Sequence, residues 1–155
     1  MIRFYADPGD GAICGAAAKL HADCFERGWS AVEMAQLLAK PGGGLFVDTG
    51  LAAAQDIRGF ILFRHMACEA EILTLCAGRA HRRSGVGGGL VFAMLAYLLK
   101  NGINEIFLEV TASNTAAIEL YNRCGFSKTG LRRNYYGRGI DGVIMRFTES
   151  FEATG

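Results

Sequence analysis

Arg82-Arg83-Ser84-Gly85-Val86-Gly87-Gly88-Gly89 sets two guanidinium groups and four glycines immediately ahead of an apolar run beginning at Leu90. Such a segment suits an anion. Glycine lets the backbone approach a ligand with no Cβ in the way, and the first amides of a helix point the positive end of its dipole outward. Arg82 and Arg83 would add charge-assisted contacts to a phosphate. Two common nucleotide motifs are excluded by the letters themselves. A Walker loop ends in Gly-Lys-Ser/Thr, whereas Leu90 and Val91 follow Gly89. A dinucleotide fingerprint starting at Gly85 needs glycine or alanine at position 90, where leucine stands. Taken alone, the segment reads equally well as a tight strand-to-helix connection with incidental glycines.

The elements around it follow from periodicity. Ala16 to Glu26 and Ser30 to Lys40 read as helices, the second capped by Ser30 and carrying Met34, Leu37 and Leu38 as its apolar stripe. Pro41-Gly42-Gly43-Gly44 marks a turn. Leu45 to Asp48, Gly59 to His65 and Glu71 to Ala77 are short runs rich in Ile, Leu, Phe and Val, expected as antiparallel neighbours. Helices over Val86 to Lys100 and Thr115 to Arg123 then flank a strand over Glu105 to Val110, with Gly102 and Gly125 as stops. Strands over Ser127 to Arg132 and Gly142 to Phe147 complete a mixed sheet with helices on its faces, an α/β class within a single domain spanning residues 1–155.

The segment Leu108-Glu109-Val110-Thr111-Ala112-Ser113-Asn114, continued by Ala116, Ala117, Leu120, Tyr121, Gly125 and Phe126, supplies a second signal. Together with Arg82-x-x-Gly85-x-Gly87 it resembles the GNAT superfamily of acetyl-CoA-dependent N-acetyltransferases. Phe25-Glu26-Arg27-Gly28-Trp29-Ser30 and Arg132-Arg133-Asn134-Tyr135-Tyr136 make the chain similar, within that superfamily, to bacterial ribosomal-protein-alanine N-acetyltransferases. The resemblance runs from about residue 20 to 147. It implies a mostly antiparallel central sheet whose two central strands splay apart to admit the pantetheine arm of acetyl-CoA. The backbone of Leu75, Cys76 and Ala77 would pair with that arm, Arg82, Arg83, Ser84, Gly85, Val86, Gly87 and Gly88 would hold the pyrophosphate, and Asn114 would touch the cofactor. Gly78-Arg79-Ala80-His81 replaces the Asp/Glu-Pro turn usual in the family, and Arg82 stands where glutamine is common.

Moving an acetyl group from a thioester to an amine needs a base for the amine, a donor for the oxyanion and an acid for the departing thiolate. Glu109, at the end of an otherwise apolar strand, is the base candidate, and without the family pattern it would be an ordinary strand-end carboxylate. The resemblance makes Tyr121 the acid, in place of a core tyrosine with a satisfied hydroxyl. Asn114 also suits a helix cap. Trp29, Tyr135 and Tyr136 are candidates for lining the acceptor groove, with packing as the plain alternative; Arg132 and Arg133 read as solvated charges. Cys76 and Cys124 have no histidine near them in sequence, so direct transfer is expected over an acyl-cysteine.

The acceptor implied by the resemblance is a protein N-terminus, including that of a ribosomal protein; lysine or a small amine is the alternative, and a non-catalytic acyl-CoA-binding module belongs to a different class. Lys and Arg total 16 against 15 Asp and Glu, so the basic excess of a nucleic-acid binder is missing. The five cysteines form no C-x-x-C pair and the three histidines are scattered, so no metal site is expected. Met1 to Pro8 lacks the apolar run of an export signal, and Leu90 to Leu99 is about half the ~20 residues a bilayer requires. A cytoplasmic enzyme without a membrane partner is expected, its thiols kept reduced.

Overall fold

A two-residue turn between strands makes an antiparallel hairpin, whereas parallel neighbours need a crossover connection, usually a helix. Both situations occur in the computed structural model, which describes residues 1–9, 11–25, 27–50, 57–135 and 137–149. The first half contains β1 (Ile2–Tyr5), α1 (Ala12–Cys24), α2 (Ala31–Ala39), β2 (Gly43–Asp48), β3 (Gly59–Met66) and β4 (Glu69–Ala77). A 3₁₀ turn at Arg79–His81 leads into α3 (Val86–Lys100), β5 (Glu105–Thr111), α4 (Thr115–Arg123), β6 (Ser127–Arg132) and β7 (Gly142–Thr148). The strands form one sheet in the order β1-β2-β3-β4-β5-β7-β6. Every pairing is antiparallel except β4 with β5, the pair that α3 joins.

Alternation along β2 and β3 feeds two cores. Phe46, Ile61 and Phe63 face α3, where Leu90, Val91, Met94 and Leu98 are buried with them. Leu45, Val47, Phe60 and Leu62 point the other way, onto Cys14 and Ala17 of α1 and Met34 and Leu38 of α2. The helices therefore cover both faces, and Gly59 to Phe63 of β3 form the continuous buried run that a doubly covered strand requires.

Two irregularities in the middle of the sheet open a gap between its central strands. Leu62 pairs with Thr74 and Phe63 with Ile72, so Leu73 is an extra residue on β4, a bulge that reverses the inward and outward alternation beyond it. Before the bulge Ala70 and Ile72 join the α3-side core; after it Cys76 joins the other. Next, β4 and β5 are bonded only between Glu69–Glu71 and Glu105–Phe107. Beyond these residues the two central strands share no register, while β4 continues with β3 and β5 with β7.

The expected elements recur with local differences. The first helix spans Ala12–Cys24, starting earlier than the expected Ala16 and running through Gly15, and Glu26 lies outside the described residues. An unexpected edge strand, β1, forms because Ile2–Tyr5 pairs with Leu45–Asp48. Among the described residues no helix is long and apolar enough to cross a membrane.

Candidate active site

The glycine-rich turn delivers the chain into α3 with its first amides bare. Gly85 is the N-cap residue in a left-handed conformation (φ 86), no side chain caps the helix, and its first turn carries no acid. The first amide of the ladder to find a partner is that of Gly89, bonded to the Gly85 carbonyl at 2.9 Å. Ser84 Oγ donates to the His81 carbonyl and steadies the turn. Arg82 and Arg83 are exposed beside it, Arg83 with a left-handed backbone of its own (φ 62). The glycines differ in purpose. Gly85 supplies the positive φ, whereas a Cβ at Gly87 would meet Leu120 Cδ2 at 3.0 Å, so Gly87 lets α4 pack against α3.

Where β4 and β5 separate, a cleft of about 350 Å³ is lined by Trp29, Leu37, Glu71, Ile72, Leu73, Glu109 and Tyr135. Glu109 reaches it because β5 turns Ile106, Leu108 and Val110 toward the α3-side core and the alternate residues to the other face. Glu71 is on the neighbouring strand just before the bulge, in register with Phe107. Sequence reasoning passed over Glu71; its only signal was an acid inside an apolar strand. Burial raises the pKa of Glu71, and the charge of Glu109 raises it further, against the opposing pull of Arg64 and Arg132. The two carboxylates thus sense one another, an arrangement that a cation placed between them would relieve.

Arg132 is exposed, as expected of a solvated charge, yet it has partners. Its Nε is 3.0 Å from Glu109 Oε1, and its guanidinium covers the Tyr135 ring at 5.0 Å. That carboxylate oxygen is buried and receives no aligned hydrogen bond, the one such side-chain atom among the described residues. Arg133 is exposed, and Tyr136 lies outside the described residues. Trp29 and Tyr135 share the cleft with Glu109.

Tyr121 is elsewhere. It is buried in the α3-side core against Phe126, ring centroids 5.5 Å apart, and is not among the residues lining the cleft. Burial raises its pKa, which keeps the phenol protonated. Asn114 caps α4 by accepting the Ala117 amide at 3.2 Å. Cys76 is buried, its Sγ set toward the Leu20 carbonyl at 3.7 Å, and burial raises its thiol pKa; Cys124 is raised for the same reason. Protonated thiols of this kind are poor nucleophiles.

Residues 15–126 match the model of the Acetyltransferase (GNAT) family. The chain belongs to the GNAT acetyltransferase family. It is 33% identical over 107 residues to the ribosomal protein bS18-alanine N-acetyltransferase of Escherichia coli, an alignment covering 66% of this chain and 72% of that one. The crystal structure of the Escherichia coli enzyme superposes with a TM-score of 0.79 at 25% identity, covering 100% of this chain and 99% of its own. The fold is also that of the NatC complex structure with bound Gag peptide and CoA, TM-score 0.81 at 19% identity, covering 96% of this chain and 99% of the other.

As a GNAT enzyme the chain is an N-acetyltransferase that uses acetyl-CoA. Its features fit that donor. A bare helix start beside two arginines suits the pyrophosphate, and the diverging edges of β4 and β5 offer backbone groups to the amides of the pantetheine arm.

Proposed function

We propose that this GNAT enzyme acetylates the α-amine of a protein N-terminus, of the ribosomal-protein-alanine type, by direct transfer in a ternary complex. The single observation that carries this reading is the placement of Glu71 and Glu109 in one cleft beside the divergent strands, flanked by Trp29 and Tyr135. Two facing carboxylates favour a cationic acceptor, and an α-ammonium gives up its proton more readily than lysine, whose reference pKa is higher by ~2.5 units. The Escherichia coli relative is named for an N-terminal alanine substrate. One catalytic domain acting in the cytoplasm, where the five free thiols would stay reduced, accommodates the whole reaction.

Acetyl-CoA, when bound, supplies an acetyl thioester whose carbonyl carbon an amine can attack. Arg82, Arg83 and Ser84, with the backbone from Gly85 through Val86 and Gly87 to Gly88, hold the pyrophosphate. The backbone of Leu75, Cys76 and Ala77 would pair with the pantetheine arm, and the amide of Ala77 or its neighbour would be the hydrogen-bond donor to the thioester carbonyl oxygen. Asn114 touches the donor while capping α4. The Glu109 carboxylate, which lines the cleft, takes the proton from the acceptor ammonium, and the amine lone pair so freed forms the C–N bond. Tyr121, kept protonated by burial, would hold at Oη the proton for the departing thiol. Because burial keeps Cys76 and Cys124 protonated, an acyl-cysteine intermediate is disfavoured.

The test is a product map. A peptide beginning with alanine and carrying an internal lysine is incubated with enzyme and acetyl-CoA, then sequenced by mass spectrometry. Acetyl on the N-terminal nitrogen is expected. Exclusive lysine labelling would move the acceptor to a side chain, and absence of thiol release with peptide, lysine or small-amine acceptors would leave an acyl-CoA-binding module.

A further inference from the structure

The connection from α1 to α2 brings Trp29 to the cleft, and one buried residue holds both of its ends. His21, in the last turn of α1, is 3% exposed, and a buried imidazole needs partners for its nitrogens. Its backbone carbonyl accepts the amide of Phe25, the residue at which α1 stops, at 3.0 Å. Its Nδ1 accepts the backbone amide of Trp29 at 3.1 Å. The ring is stacked by Phe25, centroids 4.3 Å apart and 24° between planes, and by the Trp29 indole at 5.0 Å and 16°. Gly28 completes the fold-back: a Cβ there would come within 2.7 Å of Ala22 Cα, so the connection lies directly on α1. The next residue, Ser30, starts α2 by accepting the Glu33 amide at 3.1 Å.

Nδ1 can accept only while it carries no proton, which fixes the neutral tautomer with hydrogen on Nε2. Burial, the sole cause of its shift, favours that neutral form. A hydrophobic plug would need neither the nitrogen nor the tautomer, and packing alone would not fix the backbone of Trp29, which lines the cleft together with Glu71 and Glu109.

We propose that His21 is a positioning residue for the acceptor: by accepting the Trp29 amide and stacking on its indole, it fixes the aromatic wall of the acceptor cleft and sets acceptor affinity without touching substrate. The proposal rests on the reading of that cleft as the acceptor site.

Asn and Gln separate the role from packing. His21→Asn places a carbonyl oxygen close to where Nδ1 stands, whereas His21→Gln moves its acceptor one atom further along and leaves the Trp29 amide unmet. Trp29 is the only tryptophan in the chain, so its emission and acrylamide quenching report the loop directly. The expected result for His21→Gln is red-shifted emission, easier quenching and an acceptor KM raised about tenfold, the size of one lost hydrogen bond with its unmet partner. His21→Asn should stay within about threefold of the parent on the same scale. The acetyl-CoA Kd, measured by calorimetry on both variants, should be unchanged and shows that they are folded. Equal behaviour of the two variants, or a raised KM with unaltered tryptophan emission, overturns the proposal. Trp29→Ala is the control for the underlying reading: if it leaves the acceptor KM unchanged, the cleft is not the acceptor site, whereas a raised KM there with an unaffected His21→Gln rejects only the role of His21.

Discussion

Arg132 Nε is 3.0 Å from Glu109 Oε1, yet that buried oxygen accepts no aligned hydrogen bond. The pair is an ion pair in distance and an incomplete one in geometry. A guanidinium fully committed to a carboxylate makes two parallel N–H···O bonds; here Arg132 is drawn instead over Tyr135 at 5.0 Å. Glu109 is thereby held beside a cation while its side chain lines the cleft. The same arginine opposes the effect of the Glu109 charge on Glu71.

Arg132→Gln should move the acid limb of the kcat/KM profile to higher pH. The Arg132 charge lowers the pKa of Glu71, so its removal lets burial and Glu109 raise that pKa further. Initial rates across pH 5 to 8, with acceptor well below KM, measure the limb. A limb that stays in place means that Arg132 is an exposed pair of little consequence, as most such pairs are.

Tyr121→Phe should lower kcat about 10²-fold while acetyl-CoA affinity and thermal stability change little. The ring keeps its contact with Phe126, and only the hydroxyl is lost. A phenol with a pKa raised by burial would give its proton uphill to a thiolate in water. Desolvation would raise the proton affinity of a departing thiolate in the same direction, which opposes that cost. If kcat falls by less than about threefold where chemistry limits turnover, the buried hydroxyl is a core feature only.

Gly85 and Gly87 should separate by assay. An L side chain at φ 86 costs roughly 1–2 kcal/mol, and nothing stands within 4 Å of a Cβ at Gly85, so the penalty falls on the turn itself. Gly85→Val is expected to raise the acetyl-CoA Kd about tenfold, and Gly85→Asn, more at home in that conformation, to raise it less. Gly87→Ala instead presses on Leu120 at 3.0 Å and should show as a lower Tm. Unchanged donor affinity in folded Gly85→Val would remove the pyrophosphate from this turn.

Much of this site was legible in residue order, because the glycine turn, the strand ending near Glu109 and the Asn114 cap are local features carried by contiguous letters. The antiparallel run from β2 to β4 was legible for the same reason. The exposed edge strand β1 was missed: four residues gain their conformation from pairing with β2 and carry little periodicity of their own. The start of α1 was placed too late: Gly11 is its left-handed N-cap and Gly15 lies inside it, and glycine carries little helix propensity. Glu71 and Arg132 were missed as site residues for a different reason. Their roles arise from the bulge at Leu73 and from the closeness of β6 and β5 through β7, relations among distant segments that no local pattern records.

Glu109→Gln and Glu71→Gln should differ in how pH reveals them. If Glu109 is the base, its loss costs about 10²-fold in kcat/KM near neutrality, and the deficit shrinks at higher pH as free amine appears without help. Glu71→Gln should chiefly raise the acceptor KM, since one of two charges facing the ammonium is gone. Its second signature is in stability. The folded-state pKa of Glu71 is raised above the ordinary value of 4.5, so the unfolded chain releases this proton more readily. The parent is therefore favoured below about pH 4.5 and loses that contribution as pH rises through the elevated folded value. Glu71→Gln removes the strained charge, so its Tm should exceed that of the parent near neutrality, with the difference vanishing in acid. Thermal melts from pH 4 to 8 beside acceptor titrations test both halves. A variant that binds acceptor less well and melts higher identifies Glu71 as an acid kept for its substrate at the expense of the fold; one that melts lower at neutral pH would show the carboxylate to be a structural support.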